Sequence, residues 1–404
     1  YKPAVQDGWR EELDNHVNYD GWTFLAASDF GADDPIDFTG DGPLVLFTSF
    51  QDFNDFDKAK WSIAKNWRYD MIVIDEYHYG AKTDTAMASL AQLNAGFTLC
   101  CSGTPLKALM SGEFADAETY AWTYSDEQKK RKAEQITNWL TDTYRWLPVM
   151  NIHTFEVCEA AKQQAKTLYS VDEQFTLTKL LGSNDGITLN ETSSVKLFID
   201  QIFGRNVHKN QSPIKTHAAD HIFMVLPPSV NSVTAFSHML EAMVGDEYHI
   251  INVAGDNVTD LSDVKDAIAR HAKTITVTCG RFNTGVTIPE WDMVIMLNDT
   301  KAPETYFQTI FRVQSPDKQR GKEACYVIDF NPQRCLEMVY EYAMVTSKHG
   351  QSTQASLREF LDCAPITDHT GNKLVKVTTD QVLDLMCNIG DYVNKFSSAY
   401  LFNW

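Results

Sequence analysis

The sequence predicts an α/β fold made of two tandem units, each with a parallel sheet covered by helices. Short continuous apolar runs recur along the chain, as in Leu44–Phe47 and His221–Leu226, and such runs are typical of strands buried on both faces. Segments with apolar residues at helical spacing separate these runs, as in Val233–Val244. Alternating strands and helices favour parallel sheets.

The elements follow one another in two groups. The first group contains three predicted strands, at Leu44–Phe47, Met71–Ile74 and Phe97–Cys101. The second group contains five, at His221–Leu226, Tyr248–Val253, Thr274–Thr278, Met293–Leu297 and Tyr326–Asp329. In the second group, helices are also predicted over Asp260–Lys273 and Pro303–Val313.

This pattern divides the chain into four parts. Residues 1–150 are predicted to form a first α/β domain, and residues 218–335 are predicted to form a second one. Residues 151–217 carry a mixed pattern and are interpreted as a linker or helical insertion. Residues 336–404 are interpreted as a helical C-terminal extension.

Composition excludes several classes of protein. The 404 residues carry a formal net charge of −19, which argues against a protein that coats nucleic acid with its whole surface but leaves room for a local basic groove. No apolar stretch approaches the roughly 20 residues that cross a bilayer, so we expect no membrane partner and a cytoplasmic protein. The eight cysteines form no Cys-x-x-Cys pair, so we expect free thiols and no zinc site.

An acidic group follows the second predicted strand, at Asp75-Glu76-Tyr77-His78. Acids at the carboxyl end of a strand point into the crevice where open α/β sheets bind ligands. In that position Asp75 can orient Mg²⁺, Glu76 can polarise an attacking water and His78 can relay the nucleotide state. The alternative is an acid-rich surface turn without chemistry.

Ser102-Gly103-Thr104-Pro105 follows the next predicted strand. The hydroxyls of Ser102 and Thr104 can hydrogen-bond the acidic group and couple hydrolysis to movement. The alternative is a turn between a strand and a helix, in which Ser or Thr caps the helix.

Two further groups lie in the second unit. Thr284-Gly285-Val286-Thr287-Ile288-Pro289 follows a predicted strand, and Gln308 and Arg312 lie four residues apart on a predicted helix. That spacing places both side chains on one helical face. An Arg beside a triphosphate can neutralise charge that develops during phosphoryl transfer, whereas the alternative for Arg312 is a surface salt bridge.

With these residues in view, the chain resembles the superfamily 2 helicases and translocases of the DEAD/DEAH-box type. Within them it is most similar to the helicase portion of type III restriction-like proteins of bacteria and phages, over residues 1 to about 340. The acidic group at 75–78 matches the DEAH-type Walker B motif and residues 102–105 match motif III. Residues 284–289 match motif V, and Gln308 with Arg312 matches motif VI.

The resemblance implies two RecA-like domains with ATP hydrolysed at their interface, ATP and Mg²⁺ as cofactors, and Asp75 and Glu76 as the magnesium site. It implies DNA as the partner, together with modification or nuclease subunits or an upstream nuclease domain. The implied catalytic residues are Asp75, Glu76, His78, Gln308 and Arg312, and the coupling residues are Ser102, Thr104 and Gly285. The implied nucleic-acid contacts are Lys2, Thr48, Ser49, Gln51, Thr278 and Arg281.

The chain departs from the family pattern at three points. It contains no Gly-x-x-x-x-Gly-Lys-Ser/Thr loop to hold phosphates, and this loop would precede Tyr1. Ser315 occupies the position of a second motif VI Arg, and Thr287 replaces an acid of motif V. We therefore expect residues 1–404 alone to be inactive as an ATPase.

Two other classes of function stay open from the sequence. One is a non-catalytic nucleic-acid-binding scaffold that keeps the helicase fold. The other is a metal-dependent nuclease, for which the residues near Asp75 supply no further cluster of acids. The sequence does not decide between DNA and RNA, or between strand separation and translocation alone.

Overall fold

The protein divides into two compact units, Tyr1–Leu109 and Met110–Trp404. The computed structural model describes most of the chain, and each unit is presented by itself below. The described residues are 3–50, 52, 58–77, 88–105, 119–133, 144–165, 175–205, 207–255, 260–283, 285–348, 350–370 and 374–388.

The first unit contains two parallel strand pairs. After the helix Pro3–Asn15, strand β1 (Thr23–Ala26) pairs with β2 (Leu44–Phe47). Strand β3 (Arg68–Ile74) pairs with β4 (Asn94–Cys100). All three predicted strands of this unit are therefore present, and β1 is an addition.

A small core holds the first unit together. Ala27, Ile36, Trp61 and Ala64 are almost completely buried in one cluster. The indole Nε1 of Trp61 donates to the backbone oxygen of Asp52 at 3.2 Å. This core lies in the turns that follow β1 and precede β3. It therefore stabilises these loops and covers little of the sheet.

The prediction that the strands of the first unit are buried on both faces is wrong for β3 and β4. Met71 is 51% exposed and Phe97 is 60% exposed, while Ile74 at the end of β3 is buried. Within the described residues, β3 and β4 pair only with each other. A strand needs neighbours and covering helices to bury both faces, and the described part of this unit supplies few of them.

The second unit is built on an eight-stranded sheet with the order β12-β11-β5-β10-β9-β6-β8-β7. Every pairing is parallel except that between β11 and β12. The strands are β5 Val149–Thr154, β6 His221–Val225, β7 His249–Asn252, β8 Thr274–Thr278, β9 Met293–Met296, β10 Ala324–Asp329, β11 Ile366–Asp368 and β12 Val375–Lys376.

Helices connect these strands and cover the sheet. Those before β8 are Tyr124–Ala133, Glu159–Gln164, Leu177–Leu180, Thr192–Phe203, Pro213–Thr216, Val230–Val244 and Leu261–Arg270. Those after it are Pro303–Ile310, Pro332–Val345, Thr353–Cys363 and Thr379–Asn388. Side-chain caps mark the starts of several helices. At the first turn of Val230–Val244, for example, the Ser229 side chain accepts a hydrogen bond from the Ser232 amide.

The structure differs from the predicted division of the chain. The boundary between the units lies at Leu109, not at residue 150. Strand β5 lies inside the large sheet, and the helix Thr192–Phe203 packs into its core, so residues 151–217 are not a linker. The predicted extension 336–404 supplies β11 and β12 as well as helices. The polar residues of β5 and the three-residue length of β11 concealed both strands from the pattern.

The predicted fold class, α/β with parallel sheets, is confirmed by this topology. In the second unit, all residues of β6, β8 and β9 are buried. The apolar run of β9 predicted this burial, whereas β8 alternates threonine with Ile275 and Val277. Among the described helices, none is long and apolar enough to cross a membrane.

Candidate functional site

The acidic group and the Ser102–Thr104 turn lie next to each other at the carboxyl edge of the β3–β4 sheet. Ile74 and Cys100 are register partners at the ends of the two strands. Pairing continues beyond them, because the Cys101 amide donates to Ile74 O at 2.8 Å and the Tyr77 amide donates to Cys101 O at 2.9 Å. The structure thus brings together the residues that were predicted to couple within this unit.

Glu76 has an unusual backbone conformation. Its φ angle is +49°, in the left-handed region that costs a residue with a Cβ roughly 1–2 kcal/mol. The Asp75 carboxylate accepts from the Glu76 amide at 2.9 Å and from the Trp9 indole at 3.2 Å, and these two bonds help to hold the turn. Strained backbone that the surroundings maintain is frequent at functional sites.

The acid pair suits a hard metal ion. Asp75 is exposed at the end of its strand, Glu76 is half-buried, and carboxylate oxygens are the ligands that Mg²⁺ prefers. Besides burial, the Asp75 charge raises the pKa of the neighbouring Cys101 thiol. The two carboxylates therefore fit Mg²⁺. The 404 residues contain no phosphate loop that could bind a triphosphate. His78 lies outside the described residues.

The two hydroxyl residues after β4 differ in exposure. Thr104 is buried, and its amide donates to Ser102 Oγ at 3.3 Å. This bond is the local turn contact that a Ser in this position commonly makes. A role for Ser102 and Thr104 in coupling stays a prediction.

In the second unit, Arg312 connects the segments predicted as motifs V and VI. Its Nη1 donates to Val286 O at 2.6 Å and its Nε donates to Gln308 O at 3.0 Å. Gly285, with φ +74°, provides the turn that presents the Val286 carbonyl. Arg312 lies in a 3-10 turn, Phe311–Gln314, because the predicted helix ends at Ile310.

A buried ion pair anchors the same region. Asp329 at the end of β10 binds Arg334 at 2.5 Å and accepts from the Tyr306 hydroxyl at 3.1 Å, and both charged side chains are almost completely buried. Arg334 also donates to the backbone oxygen of Asn298, just after β9. Burial raises the Tyr306 pKa well above its usual value. The network fixes the helix that carries Gln308 against the carboxyl edge of the sheet.

The predicted nucleic-acid contacts of the first unit are engaged locally. The Ser49 amide and hydroxyl donate to the Asp52 carboxylate at 3.0 and 2.8 Å, and Thr48 Oγ1 donates to it at 3.5 Å. Lys60 forms an ion pair with Asp52 at 3.5 Å. A phosphate would have to compete with Asp52 for these hydroxyls. Lys2 and Gln51 lie outside the described residues.

The candidates of the second unit form a tight turn after β8. Thr278 is fully buried, and its hydroxyl donates to Arg281 O at 2.8 Å. The Arg281 guanidinium is partly exposed and lies 3.7 Å from the Asp260 carboxylate. Thr278 therefore shapes the turn, and Arg281 is the group available to a ligand. Thr284 lies outside the described residues.

Three histidines that the sequence did not predict as a site lie close together. His153, His217 and His369 each offer a ring nitrogen, and these nitrogens all lie within 4.8 Å of one another. The residues are far apart in sequence and follow no known ligand spacing, so only the topology of the large sheet reveals the cluster.

Comparison with known proteins shows one relationship in sequence. No family model matches the chain. The chain is 27% identical, over 89% of its length, to the C-terminal part of a putative type II restriction enzyme and methyltransferase from Mycoplasma pneumoniae. It spans 61% of the length of that relative.

Two solved structures, each with a TM-score below 0.5, match this chain over most of its length. An ATP-dependent type ISP restriction-modification enzyme, LlaBIII, bound to DNA has a TM-score of 0.49 at 13% identity, over 80% of this chain and 24% of that one. A variant of Saccharomyces cerevisiae Dbp5 bound to RNA and ADP BeF3 has a TM-score of 0.44 at 10% identity, over 96% of this chain and 78% of that one.

The restriction-type class of protein that the motifs predicted agrees with the sequence relative, which is a putative restriction enzyme and methyltransferase. The Mycoplasma pneumoniae protein is the particular relative that the sequence identifies, and this chain corresponds to part of it.

Proposed function

We propose that this chain is the motor part of a restriction-type enzyme, an ATP-dependent DNA helicase or translocase of superfamily 2. The observation that carries the proposal is the turn Asp75–Tyr77, which holds two acids at the carboxyl edge of a parallel strand pair in a strained backbone. The adjoining Ser102–Thr104 turn and the similarity to a restriction enzyme support it.

In this function Asp75 would hold the magnesium ion, and Glu76 would orient the water that attacks the terminal phosphate. Bound Mg²⁺ supplies charge neutralisation on the phosphates. Arg312, whose guanidinium is held by carbonyls of Val286 and Gln308, is the candidate for the additional cation of phosphoryl transfer. Arg281 is the candidate for a DNA phosphate contact because it is partly exposed at a strand end.

The proposal is tested by replacing Glu76 with Gln in the natural full-length protein and measuring DNA-stimulated ATP hydrolysis. We expect turnover to fall by about 100-fold or more, since a positioned general base contributes roughly 10² to 10⁴. Asp70→Asn is the matched control, because Asp70 is an exposed acid within the same strand and away from the carboxyl edge. Unchanged turnover in Glu76→Gln would remove Glu76 from the mechanism.

The second candidate is a non-catalytic DNA-binding scaffold. A natural full-length protein that binds DNA but hydrolyses no ATP, with or without DNA, would establish the scaffold and exclude the motor.

A further inference from the structure

The cluster of His153, His217 and His369 lies in the second unit and includes none of the residues assigned to the motor. His153 is in β5, and His369 directly follows β11, which is the parallel neighbour of β5. His217 ends the short helix Pro213–Thr216. Three separate segments of chain thus meet at the imidazole rings, and each contributes one ring.

Hydrogen bonds define how the rings present their nitrogens. His369 Nδ1 lies 3.0 Å from the carbonyl oxygen of Asn210, which can only accept, so Nδ1 carries a proton. In the neutral ring, Nε2 then offers its lone pair to His153 Nδ1 at 2.9 Å. A metal-binding histidine characteristically donates its other ring N–H to a backbone carbonyl in this way.

Two further nitrogens lack partners. His153 Nε2 and His217 Nε2 are buried and meet no hydrogen-bond partner among the described residues. Native proteins rarely leave buried polar atoms unsatisfied, and a bound ion is one way to satisfy them. Neither orphan belongs to a lone residue, because the His153 and His217 rings lie 4.0 Å apart between centroids.

The surroundings keep the rings neutral and oriented. Burial, together with the neighbouring rings, lowers the pKa of His153 to about 3. Burial is also the largest cause of the lowered pKa of His217, which is about 4. Neutral imidazole is the form that binds metals. Tyr326 stacks on His217 at 4.5 Å, and Phe155 stacks on His369 at 4.2 Å. Asp368 places negative charge beside the cluster, and Lys209 places positive charge beside it.

We propose that His153, His217 and His369 form a structural site for a divalent first-row transition metal ion, with zinc as the best match. Three imidazoles suit zinc, whose tetrahedral bonds of about 2.0 to 2.1 Å set nitrogens roughly 3.3 Å apart. The nitrogens, now within 4.8 Å of one another, would have to approach by up to about 1.5 Å on metal binding. The ion would take the lone pair that His369 Nε2 offers to His153 Nδ1, beside the two unpartnered Nε2 atoms of His153 and His217.

We assign the site a structural role because its rings are mostly buried. His153 is 7% exposed and His369 is 3% exposed, while His217 is half-buried, so access of a substrate to the ion is limited. The bound metal would tie the segment that ends at His217 to the β5–β11 edge of the sheet. Its effect is therefore on the stability of the second unit, and the proposal is independent of ATP turnover.

The test uses the tag-free chain of 404 residues, stripped with a chelator and titrated with Zn²⁺ and with Co²⁺. We expect one ion per chain, with visible Co²⁺ bands of a four-coordinate nitrogen site and without the thiolate charge-transfer band that cysteine ligands would give. Zinc at about 100 times its dissociation constant should raise the melting temperature by roughly 5 to 10 °C.

Variants separate the site from other histidines. His217→Ala should weaken zinc binding by about 100-fold or more and abolish the thermal shift, and His217→Cys should restore binding with a thiolate band. The control is His271→Ala, because His249 and His271 stack at 3.9 Å as a pair outside the cluster. No stoichiometric ion in the natural chain, or equal binding by His217→Ala, would show that the cluster is only packing.

Discussion

Strands β3 and β6 contain similar apolar runs but differ in their surroundings. All five residues of β6 are buried between β8 and β9. In β3, Met71 is 51% exposed and Val73 is 37% exposed, although both lie in an uninterrupted apolar stretch. An apolar run therefore reports that a strand exists, and its burial depends on which elements lie beside and above it. The two units should accordingly respond differently to matched substitutions.

The largest difference is expected between two phenylalanines. Phe223 in β6 is fully buried and stacks on Trp291 at 4.2 Å, so Phe223→Ala should destabilise the second unit by about 3–5 kcal/mol. Phe97 in β4 is 60% exposed, and Phe97→Ala should cost the first unit about 0.5 kcal/mol or less. Hydrogen exchange of amides in β6 and β4 measures each unit separately. Equal losses would mean that the exposed face of β4 is covered in solution.

Two arginine ion pairs provide the next comparison. Arg334→Leu leaves the buried Asp329 carboxylate without its cation and should cost about 3–5 kcal/mol. Arg10 pairs with Asp29 at 3.4 Å with both side chains about half exposed, and Arg10→Ala should cost less than about 1 kcal/mol.

The same exchange measurement distinguishes the two pairs. Combining Arg334→Leu with Asp329→Asn should recover part of the loss, because the uncompensated charge is then removed. If the double variant is no more stable than Arg334→Leu, the pairing with Asp329 is not the source of the effect.

Two residues with left-handed backbone extend the comparison to strain. Glu76→Gly should stabilise the first unit by about 1 kcal/mol, because glycine adopts φ +49° freely and the Glu76 side chain is only half-buried. Phe282 also has a positive φ angle, +67°, but its side chain is only 7% exposed. Phe282→Gly should therefore lower the free energy of unfolding by about 2 kcal/mol, because the lost packing outweighs the relief of backbone strain.

Unfolding by urea, with exchange to assign each unit, gives both values. A loss of stability in Glu76→Gly would show that the Glu76 side chain holds the turn, and strain would then play little part in the site.

The smallest expected effect is on how stability changes at acidic pH. Burial lowers the pKa of His221, whose Nδ1 lies 3.0 Å from the Thr274 hydroxyl. Below the ordinary value of about 6.5, the unfolded chain binds a proton that the folded chain does not. The His221 contribution is therefore complete above that pH and decreases below it, by less than about 1 kcal/mol between pH 7 and pH 6.

His221→Gln should remove the His221 contribution to the loss of stability between pH 7 and pH 6. The loss that other titrating groups cause should stay. Denaturant titrations of the two proteins at pH 7 and pH 6 give the comparison. Identical pH dependence in both would exclude His221 as a contributor.

Much of the fold could be predicted because strand-like runs of apolar residues, interrupted by threonine in β8, mark the strands that other strands flank. β8 spans the predicted residues, and β6 and β9 each end one residue earlier than predicted. β5 was missed because Asn151 and His153 interrupt its apolar pattern, and β11 because three residues carry too little periodicity. Exposure of Met71 could not be predicted, since burial depends on distant segments.

Prediction of the site followed the same rule. Asp75 and Ser102 could be placed together because parallel strands end at one edge of a sheet. The φ angle of Glu76, the contact between Arg312 and Val286, and the three-histidine cluster all depend on tertiary arrangement, and no spacing along the chain encodes them.

The position of β5 has a consequence for biosynthesis. β5 lies between β10 and β11, and β11 in turn pairs with β12, which ends at Lys376. During translation, the strand made first in this sheet must wait for partners encoded about 170 to 220 residues later, so its edges are unprotected while the ribosome is still working. A nascent chain of this protein should therefore depend on chaperones until its last strands emerge.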